Sequence, residues 1–209
     1  MTDQSYVVQN DFDLLLKSLA PGGRGGAVLG GTIFLAAGSI YGAASLLAWA
    51  ITTSASPLAS QWVGWIWLTA TAAFLSIVYM SLVKLSVSAS ASADVLSRTV
   101  GPAWWGVTAA ILALVFAFGA ASARLNDGRV WQTYSLCLFT IYGLAWLVTA
   151  LASRKAWMGV VAAGCFATSM AAGFLLDSAA LYLLFAVSLI GLLAIPGLVL
   201  VRRRQHAQA

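Results

Sequence analysis

The sequence predicts an all-α membrane protein, a bundle of six transmembrane helices with a short N-terminal cytoplasmic amphipathic helix. Three observations lead there. Apolar residues make up 61% of the 209-residue chain and charged residues 8%, with a mean hydropathy of +0.92, whereas soluble domains carry about 25% charged residues. The apolar residues gather in six stretches close to the length, about 20 residues, that a helix needs to cross the hydrocarbon layer. No Asp, Glu, Lys, Arg or His falls inside these stretches. Lipid offers backbone polar groups no partners, so stretches of this kind must be helices, which bond those groups internally.

Residues 1–26 form the predicted cytoplasmic segment. Phe12, Leu15, Leu16 and Leu19 recur at the spacing of one helical face, which predicts an amphipathic helix over 11–20. Asn10 or Asp11 caps it and Pro21-Gly22-Gly23 ends it. Its apolar face suits the inner membrane interface, and a docking surface for a cytoplasmic protein partner is the alternative. The transmembrane domain covers 27–201, with spans at 27–51, 62–83, 104–122, 130–152, 157–176 and 179–201. The first apolar run is too long for the roughly 7 to 15 apolar residues of a secretory signal. The loop after the second span contains "SVSASASADVLSR", and Ser/Ala repetition predicts a flexible linker. Gly101-Pro102 predicts a chain break just before the third span, and Gly191, Pro196 and Gly197 predict a kink in the sixth. Residues 202–209 form a basic cytoplasmic tail.

The positions of the basic residues predict the orientation. Lys17, Arg24, Lys84, Arg98, Arg154, Lys155, Arg202, Arg203 and Arg204 fall on one side of the membrane, and only Arg124 and Arg129 on the other. By the positive-inside rule both termini are cytoplasmic, with Lys84, Arg98, Arg154, Lys155, Arg202, Arg203 and Arg204 as topology anchors. Arg202-Arg203-Arg204 beside the last span suits an anionic leaflet, at about 1 kcal/mol per residue. With no aromatic partner or folded module beside it, the tail does not read as a nucleic-acid binder. Trp49, Trp62 and Trp131 fit the outer interface and Trp104, Trp105 and Trp157 the inner one. Trp65, Trp67 and Trp146 lie deeper, as packing residues.

Small residues let helices approach closely in lipid. The first span carries Gly31, Gly38, Gly42 and Ser45, and the fifth Ala163, Ala167 and Ala171. Both sets predict helix packing, within one chain or in a homo-oligomer. "SIYGAA" at 39–44 is echoed by "TIYGLA" at 140–145. Chance gives such an echo, and so does an inverted repeat of two three-span halves, the plan of many secondary transporters.

The spans hold little of the apparatus of catalysis. The single histidine, His206, lies in the tail, so bis-histidine haem ligation and a Ser–His dyad within the bilayer have no residues to use. Ion-coupled carriers keep an ionisable relay at midplane, and the spans contain none. Cys137 and Cys165 sit in apolar runs as packing residues. Thr69, Thr71, Ser76, Ser135, Thr140, Thr168, Ser169 and Ser188 lie within spans. Each can bond its own helix or a neighbour, or line a path for a neutral solute. No metal site, cofactor or enzymatic activity is expected.

In "SRTVGPAWWGVTAAILALVFAFG" at 97–119 and "DFDLLLKSLAPGGRGGAVLGG" at 11–31, the chain resembles small multi-span inner-membrane proteins of bacteria. That resemblance implies a bacterial inner membrane and no particular activity. The expected function is therefore a non-enzymatic accessory, regulatory or anchoring subunit that touches the lipid bilayer and a membrane or cytoplasmic protein partner. The alternative is a small permease or channel for a neutral or hydrophobic solute.

Overall fold

The computed structural model describes residues 24–54, 59–87 and 95–205. The amphipathic helix expected over 11–20, the Ser/Ala-rich residues 88–94 and His206 lie outside them. The described chain forms α1 (Arg24–Thr53), α2 (Ala59–Val87), α3 (Val95–Leu125), α4 (Val130–Ser153), α5 (Ala156–Phe174), α6 (Ala180–Leu189), a π-helical turn at Ile190–Ala194 and α7 (Ile195–Gln205). No strand occurs among the described residues. Six segments are long and apolar enough to cross a membrane, the sixth formed by α6, the π turn and the first part of α7.

The helices reach further than the apolar spans. The expected break at Gly101-Pro102 is absent, since α3 starts at Val95 and runs through Pro102. Proline removes one backbone donor. Pro102 opens the apolar stretch of α3, so the acceptor it leaves unpaired lies at the margin, where water can reach it. Of the expected linker "SVSASASADVLSR", Ser86 and Val87 belong to α2 and Val95 to Arg98 belong to α3. The three arginines 202–204 likewise belong to α7, near the negative end of a helix dipole that favours cations. Three turns rest on a non-glycine residue in the left-handed region: Asn126 (φ 49°), Arg154 (φ 53°) and Asp177 (φ 63°). Asn and Asp adopt this conformation readily, whereas an arginine there is unusual.

In the sixth span, where a kink is expected, the structure has the π turn, which directly follows the ten residues of ordinary α-helix in α6. The Ile195 N–H bonds back to the Ile190 carbonyl, one residue further than in an α-helix. Pro196 follows immediately, where no N–H is available to continue the regular ladder.

Helix α1 lies against α2 on one side and against α6, the π turn and α7 on the other; α4 lies between α3 and α5. Helices α2 and α3 are peripheral, with 6% of each apolar stretch buried, compared with 33% for α1. Trp65, expected as a packing residue, is therefore exposed, because α1 covers only one side of α2. Buried side chains converge where α1, α4, α5 and α6 meet, at Ala37, Phe139, Ala172, Leu181, Phe185, Leu189 and Leu193.

A close helix approach joins α1 to the sixth span. A methyl group on Gly38 would lie 2.7 Å from the Leu189 carbonyl oxygen and 2.8 Å from the Ala194 Cβ. On Gly197 it would lie 2.5 Å from the Leu35 nitrogen and 2.7 Å from the Gly31 carbonyl oxygen. These obstacles are mostly backbone, which cannot swing aside as a side chain can. Gly38→Ala should accordingly destabilise the fold by about 1 to 3 kcal/mol, the usual cost of overpacking. Gly64→Ala, where nothing lies within 4 Å, should be neutral or stabilising. Reversible unfolding in mixed micelles compares the two.

Candidate functional site

Hydroxyls inside the spans are the side chains best able to handle a polar solute, and Thr69, Thr71, Ser76, Ser135, Thr140, Thr168, Ser169 and Ser188 each have a hydrogen-bond partner. Thr69 and Ser76 donate to the Trp65 and Ala72 carbonyls of their own helix, and Ser135 reaches the Trp131 carbonyl at 3.5 Å. The others join helices. Tyr41 of α1 donates to Thr71 of α2 at 3.3 Å. Thr140 of α4 meets Ser169 of α5 at 2.8 Å, and Ser169 also donates to the Leu136 carbonyl. Thr168 of α5 meets Ser188 of α6 at 3.0 Å, in a buried contact. Each such bond joins helices that lipid does not otherwise press together.

At one end of the bundle these bonds give way to an aromatic group. Phe34 of α1 packs against Trp104 of α3 and Trp146 of α4, with ring centroids 4.5 and 5.2 Å away. Trp104 and Trp146 meet edge to face at 5.6 Å, and Trp157 of α5 lies 6.1 Å from Trp146. Edge-to-face geometry sets the positive rim of one ring against the negative face of the other. The Trp104 indole N–H donates to Thr149 at 3.1 Å, and Thr149 in turn donates to the Ala145 carbonyl. The indole nitrogens of Trp146 and Trp157 are buried without a hydrogen-bond partner. Trp104, expected at the membrane interface, thus turns inward, while its neighbour Trp105 is exposed.

The opposite end carries a polar clasp. Arg129 Nε lies 3.6 Å from Asp177 Oδ1, and the Asp177 N–H donates to Gln132 Oε1 at 2.8 Å. The Arg129 N–H donates to Asp127 Oδ1 at 2.9 Å. Arg129 and Asp177 are both largely solvent-exposed, so their ion pair contributes little to stability, and the clasp acts mainly by setting the turn between α5 and α6.

Gly31, Gly38, Gly42 and Ser45 are buried on α1. The three glycines face the sixth span, and the Ser45 hydroxyl donates to the Tyr41 carbonyl. On α5, Ala163 and Ala167 are exposed and Ala171 is half-buried. The buried side of that helix is formed instead by Met158, Val161, Ala162, Cys165, Thr168 and Ala172. The helix ends bearing Arg154, Lys155 and Arg202 lie at the aromatic end, where Ala150, Trp157 and Leu200 join its packing, and Arg129 lies at the clasp. Arg154, Lys155 and Arg202 are exposed.

Among the described residues no group of three or more His, Cys, Asp or Glu side chains comes together. A shallow apolar recess of about 270 Å³ is lined by Ser76, Ile77, Met80 and Ser81, all from α2. The "IYG" echo joins two packing positions. Gly42 meets Ile190 of the sixth span and Gly143 meets Phe166 of α5, and in both a methyl group would fall within 3 Å of the facing side chain. No protein family, curated protein or solved structure compared with the chain matches it.

Thr149→Val removes the acceptor of the Trp104 indole and should cost about 0.6 to 1.7 kcal/mol, the range for interhelical hydrogen bonds in lipid. A double-mutant cycle with Trp104→Phe should return that coupling, while the same cycle with Thr140→Val should return none.

Proposed function

We propose that the chain is a multi-pass protein of the bacterial inner membrane, with both termini cytoplasmic, acting through contacts as a non-enzymatic accessory, regulatory or anchoring subunit. The observation that supports this most is that most span hydroxyls, Thr69, Thr71, Ser76, Ser135, Thr140, Thr168, Ser169 and Ser188 among them, are taken up in bonds to their own helix or a neighbouring one. With those groups engaged and no Asp, Glu, Lys, Arg or His in the spans, the bundle offers a passing solute little to bind. The amphipathic pattern of residues 11–20 supplies the contact surface for a cytoplasmic partner, and the basic residues gathered at the aromatic end hold that end against an anionic leaflet.

A second reading, a small permease or channel for a neutral or hydrophobic solute, draws support from the interrupted sixth span. Membrane carriers place irregular helical backbone beside the path of their substrate.

Two experiments separate these readings. Crosslinking in intact cells should capture a specific partner with the full chain and lose it when residues 1–20 are deleted; capture that survives the deletion counts against the contact reading. In liposomes the purified protein should leave the flux of small uncharged solutes at the level of empty vesicles. Saturable flux would establish the permease reading instead.

A further inference from the structure

The helices divide into two groups held by contacts of different kinds. The first group is α1, α2 and the sixth span, and the second is α3, α4 and α5. Within the first, Gly38 and Gly197 bring backbone against backbone, and such a contact cannot slide without collision. Within the second, Thr140–Ser169, Ser169–Leu136 and Trp104–Thr149 bond neighbouring helices.

Across the boundary the contacts are mostly large side chains. Phe139 stacks on Phe185 at 5.5 Å, and Phe34 packs on Trp104 and Trp146. The end of the Leu192 side chain rests over Gly164. Side chains of this kind can exchange neighbours as the helices part, and lipid tails can take the vacated contacts, because apolar surface gains nothing from hiding in an apolar solvent. Among the described residues, one side-chain hydrogen bond crosses the boundary between spans, the buried Thr168–Ser188 contact at 3.0 Å.

We propose that the two groups pivot against each other as rigid units and that the Thr168–Ser188 hydrogen bond is the latch holding them closed. The pivot lies at the turn through Asp177. There the chain passes from one unit to the other, and Arg129 and Gln132 of the second unit grip the turn itself. The latch sits near the middle of the sixth span. The gap opens widest at the far end, where Phe34 withdraws from Trp104 and Trp146 and uncovers an aromatic surface that is closed off in the latched form. The movement resembles jaws closing on an aromatic contact, with the latch part-way along.

The test uses the full chain in lipid nanodiscs, with Cys137→Ala and Cys165→Ala to clear the background. Paired spin labels report distances by pulsed electron resonance. A pair across the boundary, on Val160→Cys of α5 and Ile195→Cys of α7, uses two exposed sites and should give two distance populations. Thr168→Val should raise the longer one about threefold, the effect of losing one average interhelical hydrogen bond. Ser188→Ala should do the same, and the two together no more, since they break one bond. A pair within the second unit, on Leu112→Cys and Val160→Cys, should stay unchanged throughout, and Thr140→Val should not alter the cross-boundary ratio. A single cross-boundary population that ignores both latch substitutions overturns the proposal. So does an equal change in the within-unit pair, because that would be general loosening.

Discussion

The approach of α1 to the sixth span is the constraint on which the remaining packing depends. In water, burial of apolar surface would hold these helices together at almost any reasonable separation. In lipid that force is missing, and attraction comes from atoms placed close enough for dispersion to act. Gly38 and Gly197 give the two helices that proximity by leaving out the atoms that would keep them apart. Once they are joined, α6 is placed so that Leu181, Phe185 and Leu189 meet Ala37, Phe139 and Ala172, and Ser188 comes within reach of Thr168.

Polar groups take up a second role, that of choosing partners. A hydroxyl inside a span can always bond the carbonyl one turn back, as Thr69 and Ser76 do, so it is never stranded. The hydroxyls that also reach another helix specify which helix that is, and a single such bond, as between α5 and α6, gains too little to freeze the arrangement. Several bonds between α4 and its neighbours, one bond between α5 and α6 and the unyielding contact at α1 therefore combine. The result is a bundle whose parts differ in stiffness.

The six spans were legible in the sequence because solvent chemistry imposes them residue by residue. A run of apolar side chains near 20 residues long has few alternatives. The pairing of helices was less legible. Gly38 and Gly42 and the alanines at 163, 167 and 171 present the same four-residue spacing, yet the glycines lie against the sixth span while Ala163 and Ala167 face outward. Spacing shows where a close approach is sterically open, and only the position of the other helices decides whether anything approaches. Helix ends are less legible than the spans. Arg98 and the arginines at 202–204 lie on continuous helices, because a helix leaving the membrane needs no apolar residues to continue in water. Phe34 gave no signal of its own and Gly197 signalled only a kink, since each derives its packing role from a partner far away in the chain.

The π turn at Ile190–Ala194 amounts to one residue inserted into an otherwise regular rod. Each helical residue turns the face by about 100°, so the insertion sets the angular register between the two halves of the sixth span. As the chain stands, Ser188 above the turn points to α5 while Gly197 below it faces α1. A continuous α-helix one residue shorter could keep one of those alignments and would rotate the other away. The irregular turn thus lets a single span present two faces that an ideal helix of this sequence could not align together.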